Sequence, residues 1–386
     1  MLSEANRQFS VCNSCRYCEG ICAVFPAMEL RSSFASGDVS YLSSLCHDCR
    51  ACVHACPYSP PHEFAVDIPS LMAQARSETF ETYARPQAFW RLLTRTSSIL
   101  AAVLVTLILA TTVAVTTHDA GAVVRTHTGS GSFYEVIPFL WLLLPAVAIS
   151  ICCAIAILAG AHGLAREATG GARQLVRLKP IAAAAADALR LKHLGGGGGG
   201  CYYPAERVSR SRRRLHHCVF YGFGAMFLST VAAAFQQDVL GIEPPYPVLS
   251  VPVVLGTLGG IATLAGCVGF LVIGIRSRGA GKIDDARRLD RSFTVTLLFA
   301  TLTGLLTLVL RSTSLMGAIL IVHLAALGGL YLTFPYSKFV HWVYRYVALV
   351  RSHVEAEAPS ARPHSLDVPI FAADQQTPGP AAELEA

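Results

Sequence analysis

Charge is scarce in this chain. Only 15% of its 386 residues are Asp, Glu, Lys or Arg, while 53% are hydrophobic. A soluble domain carries about 25% charged residues, so the deficit argues against an ordinary soluble enzyme and points to a membrane protein. A secretory signal is also missing. Residues 1–11 have no apolar core and run directly into cysteines, as expected of a start that stays in the cytoplasm. No Gly-x-Gly-x-x-Gly follows a strand in the Rossmann manner, so no flavin or nicotinamide site within the chain is expected. The run Gly195–Gly200 has neither a Gly-Lys-Ser/Thr nor a preceding strand, which favours a flexible linker over a phosphate loop. The net charge of +6 could suggest nucleic acid, but the basic residues are distributed by membrane side instead.

What is abundant is cysteine, thirteen in all. Eight form two runs: Cys12-x2-Cys15-x2-Cys18-x3-Cys22, then Cys46-x2-Cys49-x2-Cys52-x3-Cys56-Pro57. This is the spacing of two [4Fe–4S] clusters, in which the fourth Cys of each run crosses to the other cluster. The expected ligand sets are Cys12, Cys15, Cys18 and Cys56 on one cluster, with Cys46, Cys49, Cys52 and Cys22 on the other. Zinc is the weaker reading, because a tetrahedral site leaves no use for the third and fourth Cys of each run. Disulfides would need an oxidising compartment, whereas cluster spacing implies a reducing one. Cys152, Cys153, Cys201, Cys218 and Cys267 are scattered and read as small buried hydrophobes. His47, His54 and His62, around the second run, are expected at the surface or as donors behind the ligands.

Six apolar segments follow, each near the ~20 residues needed to cross a bilayer core: 98–117, 136–160, 218–235, 249–275, 293–310 and 315–334. Basic residues crowd the loops after the second and fourth segments, from Arg166 to Arg214 and from Arg276 to Arg291. The opposite loops hold only Arg125 and Arg311. The positive-inside rule then places both termini in the cytoplasm, in a multi-pass protein of the cell inner membrane. The expected fold is all-α. A ferredoxin-like double [4Fe–4S] domain occupies 1–78, a juxtamembrane linker 79–97 and a six-helix membrane domain 98–350. A cytoplasmic loop lies at 161–216 and a disordered tail at 351–386. Within the loop, Pro180 can open a short Ala-rich helix, and Arg210–Arg214 read as a membrane anchor.

Histidines in membrane helices are costly and commonly functional. His323 lies in the sixth segment and His341 eighteen residues later. On a continuous helix that is five turns, so both rings would share one face about 27 Å apart. His216 and His217 enter the third segment level with His341. These residues suit a b-type haem bridging the third and sixth segments, or interfacial residues of a basic, aromatic girdle. A second haem at His323 would need a partner, for which His118 and His127 are the candidates; His162 competes for the inner site.

The stretch from His323 through Pro335 and Ser337-Lys338 to His341-Trp342 resembles the last helix of the nitrate reductase gamma and heterodisulfide reductase cytochrome b subunits, which implies haem ligation by His323 and His341. The whole chain is similar to the tricarballylate- and citrate-utilization protein B family. The two cysteine runs, Arg212-Arg-Arg-Leu-His-His217 with Phe220-Tyr-Gly-Phe223, and Pro335–His341 carry that likeness. It implies an electron-transfer protein that reoxidises a cytoplasmic FAD-dependent dehydrogenase, of the tricarballylate dehydrogenase kind, and passes electrons to the quinone pool. A related protein of cobalamin biosynthesis contains the same module. Rival expectations are the electron-donating arm of a disulfide reductase and a transporter with a redox-sensing domain. Six spans without an internal repeat count against transport.

Overall fold

The computed structural model describes residues 1–94, 96–169, 177–203, 207–277 and 284–357. Arg173, Arg278, Lys282 and the tail from 358 onward therefore lie outside the described residues. The regular structure is almost wholly helical. Before the membrane part come α1 (Leu2–Cys15), α2 (Val24–Glu29), α3 (Ser36–Leu45), α4 (Ala51–Ala55), α5 (Ile68–Tyr83) and α6 (Gln87–Leu93). Then follow α7 (Thr96–Thr117), α8 (Phe139–Thr169), α9 (Leu178–Leu189), α10 (Ser211–Asp238), α11 (Val251–Arg276), α12 (Asp284–Leu310), α13 (Met316–Thr333) and α14 (His341–Glu357). One two-stranded antiparallel hairpin joins β1 (Cys201–Tyr202) to β2 (Val208–Ser209).

Local chemistry sets several of these ends. Asp67 caps α5 by accepting from Ser70 N at 3.1 Å, with Pro69 in the first turn, where its missing N–H costs nothing. Arg16 closes α1 and Arg50 opens α4 in left-handed conformations, φ 54° and 63°. The backbone thus reverses beside a cysteine in each run.

Among the described residues, six segments are long and apolar enough to cross a membrane: Ser98–Thr117, Phe139–Glu167, Ser211–Asp238, Val251–Arg276, Arg287–Leu310 and Met316–Tyr336. Their outward faces are bare apolar side chains such as Leu104, Leu144, Leu158, Phe227 and Leu258. Such surfaces are stable only in lipid. Within the bundle α10 packs on α11, α11 on α12, α12 on α13 and α13 on α7. The first of these contacts is made by small residues. A Cβ added at Gly222 would lie 2.7 Å from Gly259 O, so the two backbones touch as in close membrane helix pairs.

The sixth span does not continue into His341 as one helix. α13 stops at Thr333, and two short 3-10 turns, Phe334–Tyr336 and Lys338–Val340, intervene before α14. Pro335 has no N–H to continue the ladder, and Ser337 between the turns is fully extended, φ −114° and ψ −178°. The expectation that His323 and His341 share one helical face across five turns is corrected accordingly. α14 also remains helical to Glu357, so the segment expected as a tail from 351 begins as helix.

The cysteine-bearing part shares its core with the rest of the chain. Phe9, Met28, Leu42, Leu45 and Met72 are fully buried there, together with Ala184 of α9 and Ala348, Leu349 and Val350 of α14. α5 runs without a break past position 78, where a domain boundary was expected. An ion cluster ties α14 down. Arg31 pairs with Asp38 at 2.7 Å and with Glu355; Arg351 bonds Glu355 at 2.8 Å and lies 4.1 Å over the Tyr41 ring; Tyr41 donates to Glu355 at 3.0 Å.

The glycine run is a fitted element and corrects the linker expectation. Gly196, Gly197, Gly198 and Gly200 take φ values of 51°, 73°, 100° and 132°, which side chains rarely adopt. A Cβ added at Gly196 would stand 3.7 Å from Cys49 Sγ, and one added at Gly197 3.5 Å from Ile21 Cα. The run and the hairpin behind it therefore cap the second cysteine run.

Candidate functional site

The eight thiols sort into two groups by the neighbours that act on each. Burial first, then the thiols of Cys56, Cys18 and Cys15, push Cys12 up to about 12. Burial, then Cys56 and Cys15, push Cys18 up to about 11. Cys22 is pushed up to about 12 by burial and then mainly by Cys46 and Cys49. Cys52 is raised by burial and then by Cys46, Cys22 and Cys49 ahead of Cys18. The fourth cysteine of each run thus stands among the first three of the other. No three His, Cys, Asp or Glu side chains among the described residues close around one metal ion. A cube of four irons spreads its thiolates over separate corners, wider than a single-ion site would. None of the thirteen cysteines is in a disulfide.

The two groups sit in unlike surroundings. Cys15 is exposed and its neighbour Tyr17 is 71% exposed. Cys49 is 7% exposed beneath the hairpin, where Tyr202 N donates to Cys49 O at 2.9 Å and Tyr203 donates to Asp48 at 3.0 Å. The Asp48 N–H points at Cys46 Sγ, 3.3 Å away, a bond that stabilises a thiolate. Arg212 donates to Asp48 O, so the basic run at the start of α10 turns one guanidinium inward rather than serving only as a membrane anchor.

α10 and α14 then bring two imidazoles together. The rings of His216 and His341 have centroids 6.2 Å apart, planes at 75°. Two metal–nitrogen bonds of about 2.0 Å, plus the two ring radii, span roughly that distance. His341 Nδ1 donates to Lys338 O at 2.6 Å, which leaves Nε2 as the lone pair. Burial first, then Lys338 and His216, hold the His341 ring down at about 3, so it is neutral at physiological pH. His216 Nδ1 is buried without a hydrogen-bond partner. His217, one position on, faces Tyr221 at 5.9 Å, and its Nε2 is likewise buried without a hydrogen-bond partner. These are donors of the kind that a low-spin haem takes, and they fit one.

The other expected histidines are placed differently. His323 packs against α12, its Nδ1 donating to Ala300 O at 3.1 Å and lying 3.2 Å from Thr303 Oγ1, with Gly304 against the ring. His127 faces Glu135 with one nitrogen and Ala122 O, at 2.7 Å, with the other, so neither is left for a metal. His118 and His162 are exposed. His47 touches Arg345, and His54 stacks on Tyr202 at 4.1 Å. Of the five scattered cysteines, Cys153, Cys201 and Cys267 are buried, whereas Cys152 is exposed.

The residue missed by sequence reasoning is Arg345. It stands one helical turn beyond His341, donates to Leu45 O at 2.9 Å, and acts on the thiols of both Cys46 and Cys22. Its i+4 spacing from His341 was the available signal.

A helical membrane bundle joined to a cysteine-run domain of the ferredoxin type is the class that these features define. The pattern described as Citrate utilization protein B matches residues 91–362, and the one described as Citrate utilization protein B Fer4-like domain matches residues 5–82. The chain is 40% identical over 355 residues to Citrate utilization protein B of Escherichia coli, covering 92% of each. It belongs to the citrate utilization protein B family. No solved structure matches it. A membrane protein with a Fer4-like domain accords with an iron–sulfur electron-transfer role.

Proposed function

We propose that the chain is the membrane electron-transfer partner of a cytoplasmic FAD-dependent dehydrogenase acting on citrate or a related tricarboxylate such as tricarballylate. When bound, two [4Fe–4S] clusters and a b-type haem would relay single electrons from the reduced flavin to the quinone pool. The observation that carries this reading is the sorting of eight thiols into two crossed groups. Cys12, Cys15, Cys18 and Cys56 hold one cluster; Cys46, Cys49, Cys52 and Cys22 hold the other. His216 and His341 hold the haem, with Lys338 O fixing the His341 tautomer. α14 keeps the imidazole and the second cysteine run in register through Arg345.

By the positive-inside rule, the basic loops beside the cysteine domain support a cytoplasmic position for that domain at the inner membrane. There the thiols stay reduced until metallated and the flavoprotein can reach them. The anaerobically purified chain should contain about eight iron and eight acid-labile sulfide atoms, and dithionite should produce a b-type spectrum. About four of each, or no haem absorption, would defeat the reading.

A further inference from the structure

The two thiol groups differ most in the charges around them. Three guanidinium groups converge on the backbone that carries Cys46 and Cys49. Arg76 donates to Ser43 O at 3.1 Å and to Cys46 O at 2.5 Å. Arg345 donates to Leu45 O at 2.9 Å, and Arg212 to Asp48 O. All three bind carbonyl oxygens there. Two carboxylates stand near this group: Asp48, which also takes the Tyr203 hydroxyl, and Asp290, which Lys338 pairs at 2.7 Å. A guanidinium is not deprotonated at neutral pH, so Arg345 stays positive. Around the other group the surroundings are different. The charged neighbours acting on Cys12 and Cys18 are thiols alone, and Cys15 is open to solvent.

We propose that Arg76, Arg212 and Arg345 raise the reduction potential of the cluster held by Cys46, Cys49, Cys52 and Cys22 above that of the cluster held by Cys12, Cys15, Cys18 and Cys56. The inference rests on the iron–sulfur reading above. Reduction adds one negative charge to a thiolate-bound cluster, and nearby cations favour the more negative state. Burial acts the other way, since low polarity disfavours added charge. The same low polarity strengthens the fixed cations, and Arg76, Arg212, Arg345 and Lys338 outnumber Asp48 and Asp290, so the cations win. The second cysteine run then becomes the accepting end of the pair. It is also the end joined to His341 through α14. The exposed first run is left as the donor side.

The test is an EPR-monitored redox titration of the full-length, detergent-solubilised protein, with Cys15→Ser and Cys49→Ser to assign the two signals. The higher potential should belong to the signal lost in Cys49→Ser. Arg345→Gln should shift that potential downward and leave the other unmoved, while Arg345→Lys restores most of the shift. If Arg345→Gln no longer retains that cluster, Arg76→Gln is read in the same way. Equal potentials, the higher value on the signal lost in Cys15→Ser, or a potential unmoved in these variants would overturn the inference while leaving the clusters in place. A wild-type chain without iron would instead defeat the iron–sulfur reading itself, and this inference with it.

Discussion

The two ends of the helical bundle treat their histidines differently. At the end against the cysteine domain, His216 and His341 face each other across 6.2 Å, and one nitrogen of each is left for another partner. At the far end, His323 lies against the α12 backbone and His127 is engaged at both nitrogens. An imidazole buried in a membrane helix is therefore not a ligand by virtue of its depth. It needs an available nitrogen and a second ring opposite. Among the described residues, the near end supplies both.

The contrast can be broken most directly at His341. His341→Ala should abolish the b-type absorption and quinone reduction by the reduced flavoprotein, with iron and sulfide content unchanged. Visible spectra and metal analysis of the same sample would check it. A full haem spectrum in that variant would erase the difference between the two ends.

The near end is also braced by ions, and there the next largest effect is expected. Glu355→Ala leaves Arg31 and Arg351 with Asp38 as their one remaining shared carboxylate. Breaking such a pair costs roughly 3 kcal/mol, at the lower end of the range because a fifth of Glu355 remains exposed. A lower thermal midpoint in detergent and faster proteolysis between α14 and the cysteine domain would report it.

Packing should come third. Gly222→Leu pushes α10 away from α11, because even a Cβ there lies 2.5 Å from Thr263 Oγ1. Overpacking of this kind costs about 1–3 kcal/mol. It should also loosen His216, carried less than two turns earlier on α10, so the haem spectrum should weaken while the clusters persist. An unchanged spectrum would separate His216 placement from the α10–α11 contact.

The smallest effect is expected at the far end. Thr303→Val removes a hydroxyl 3.2 Å from His323, a loss of about 1 kcal/mol, without altering haem content. His323→Ala should likewise leave the near-end spectrum intact. A halved haem content in His323→Ala would reveal a second haem and remove the contrast.

Much of this protein was legible from chain-local patterns. Six apolar stretches announce membrane helices because each must satisfy its backbone internally over a fixed thickness of hydrocarbon, which needs no knowledge of its neighbours. The observed segments begin within a few residues of those expected at 98 and 315, and earlier at 218, where α10 starts at Ser211. The cysteine runs are legible for the same reason, since ligand spacing is short-range geometry. The glycine run misled because composition alone cannot separate a loose linker from a backbone pressed against Cys49. The basic run misled in part because Arg212 points inward, toward a carbonyl that is 164 residues away in sequence.

By itself, then, the sequence determined a helical membrane chain headed by two crossed cysteine runs. Tertiary structure decided which rings meet. His216 and His341 lie on α10 and α14, brought together across the packed α10 to α13, and past the break at Pro335 α14 packs on α3 of the cysteine domain. Tertiary structure also gathered Arg76, Arg212 and Arg345 around one loop from three distant helices. Spacing along a chain can specify what neighbouring residues bind, but charges and rings brought from far apart acquire a common site only through the fold.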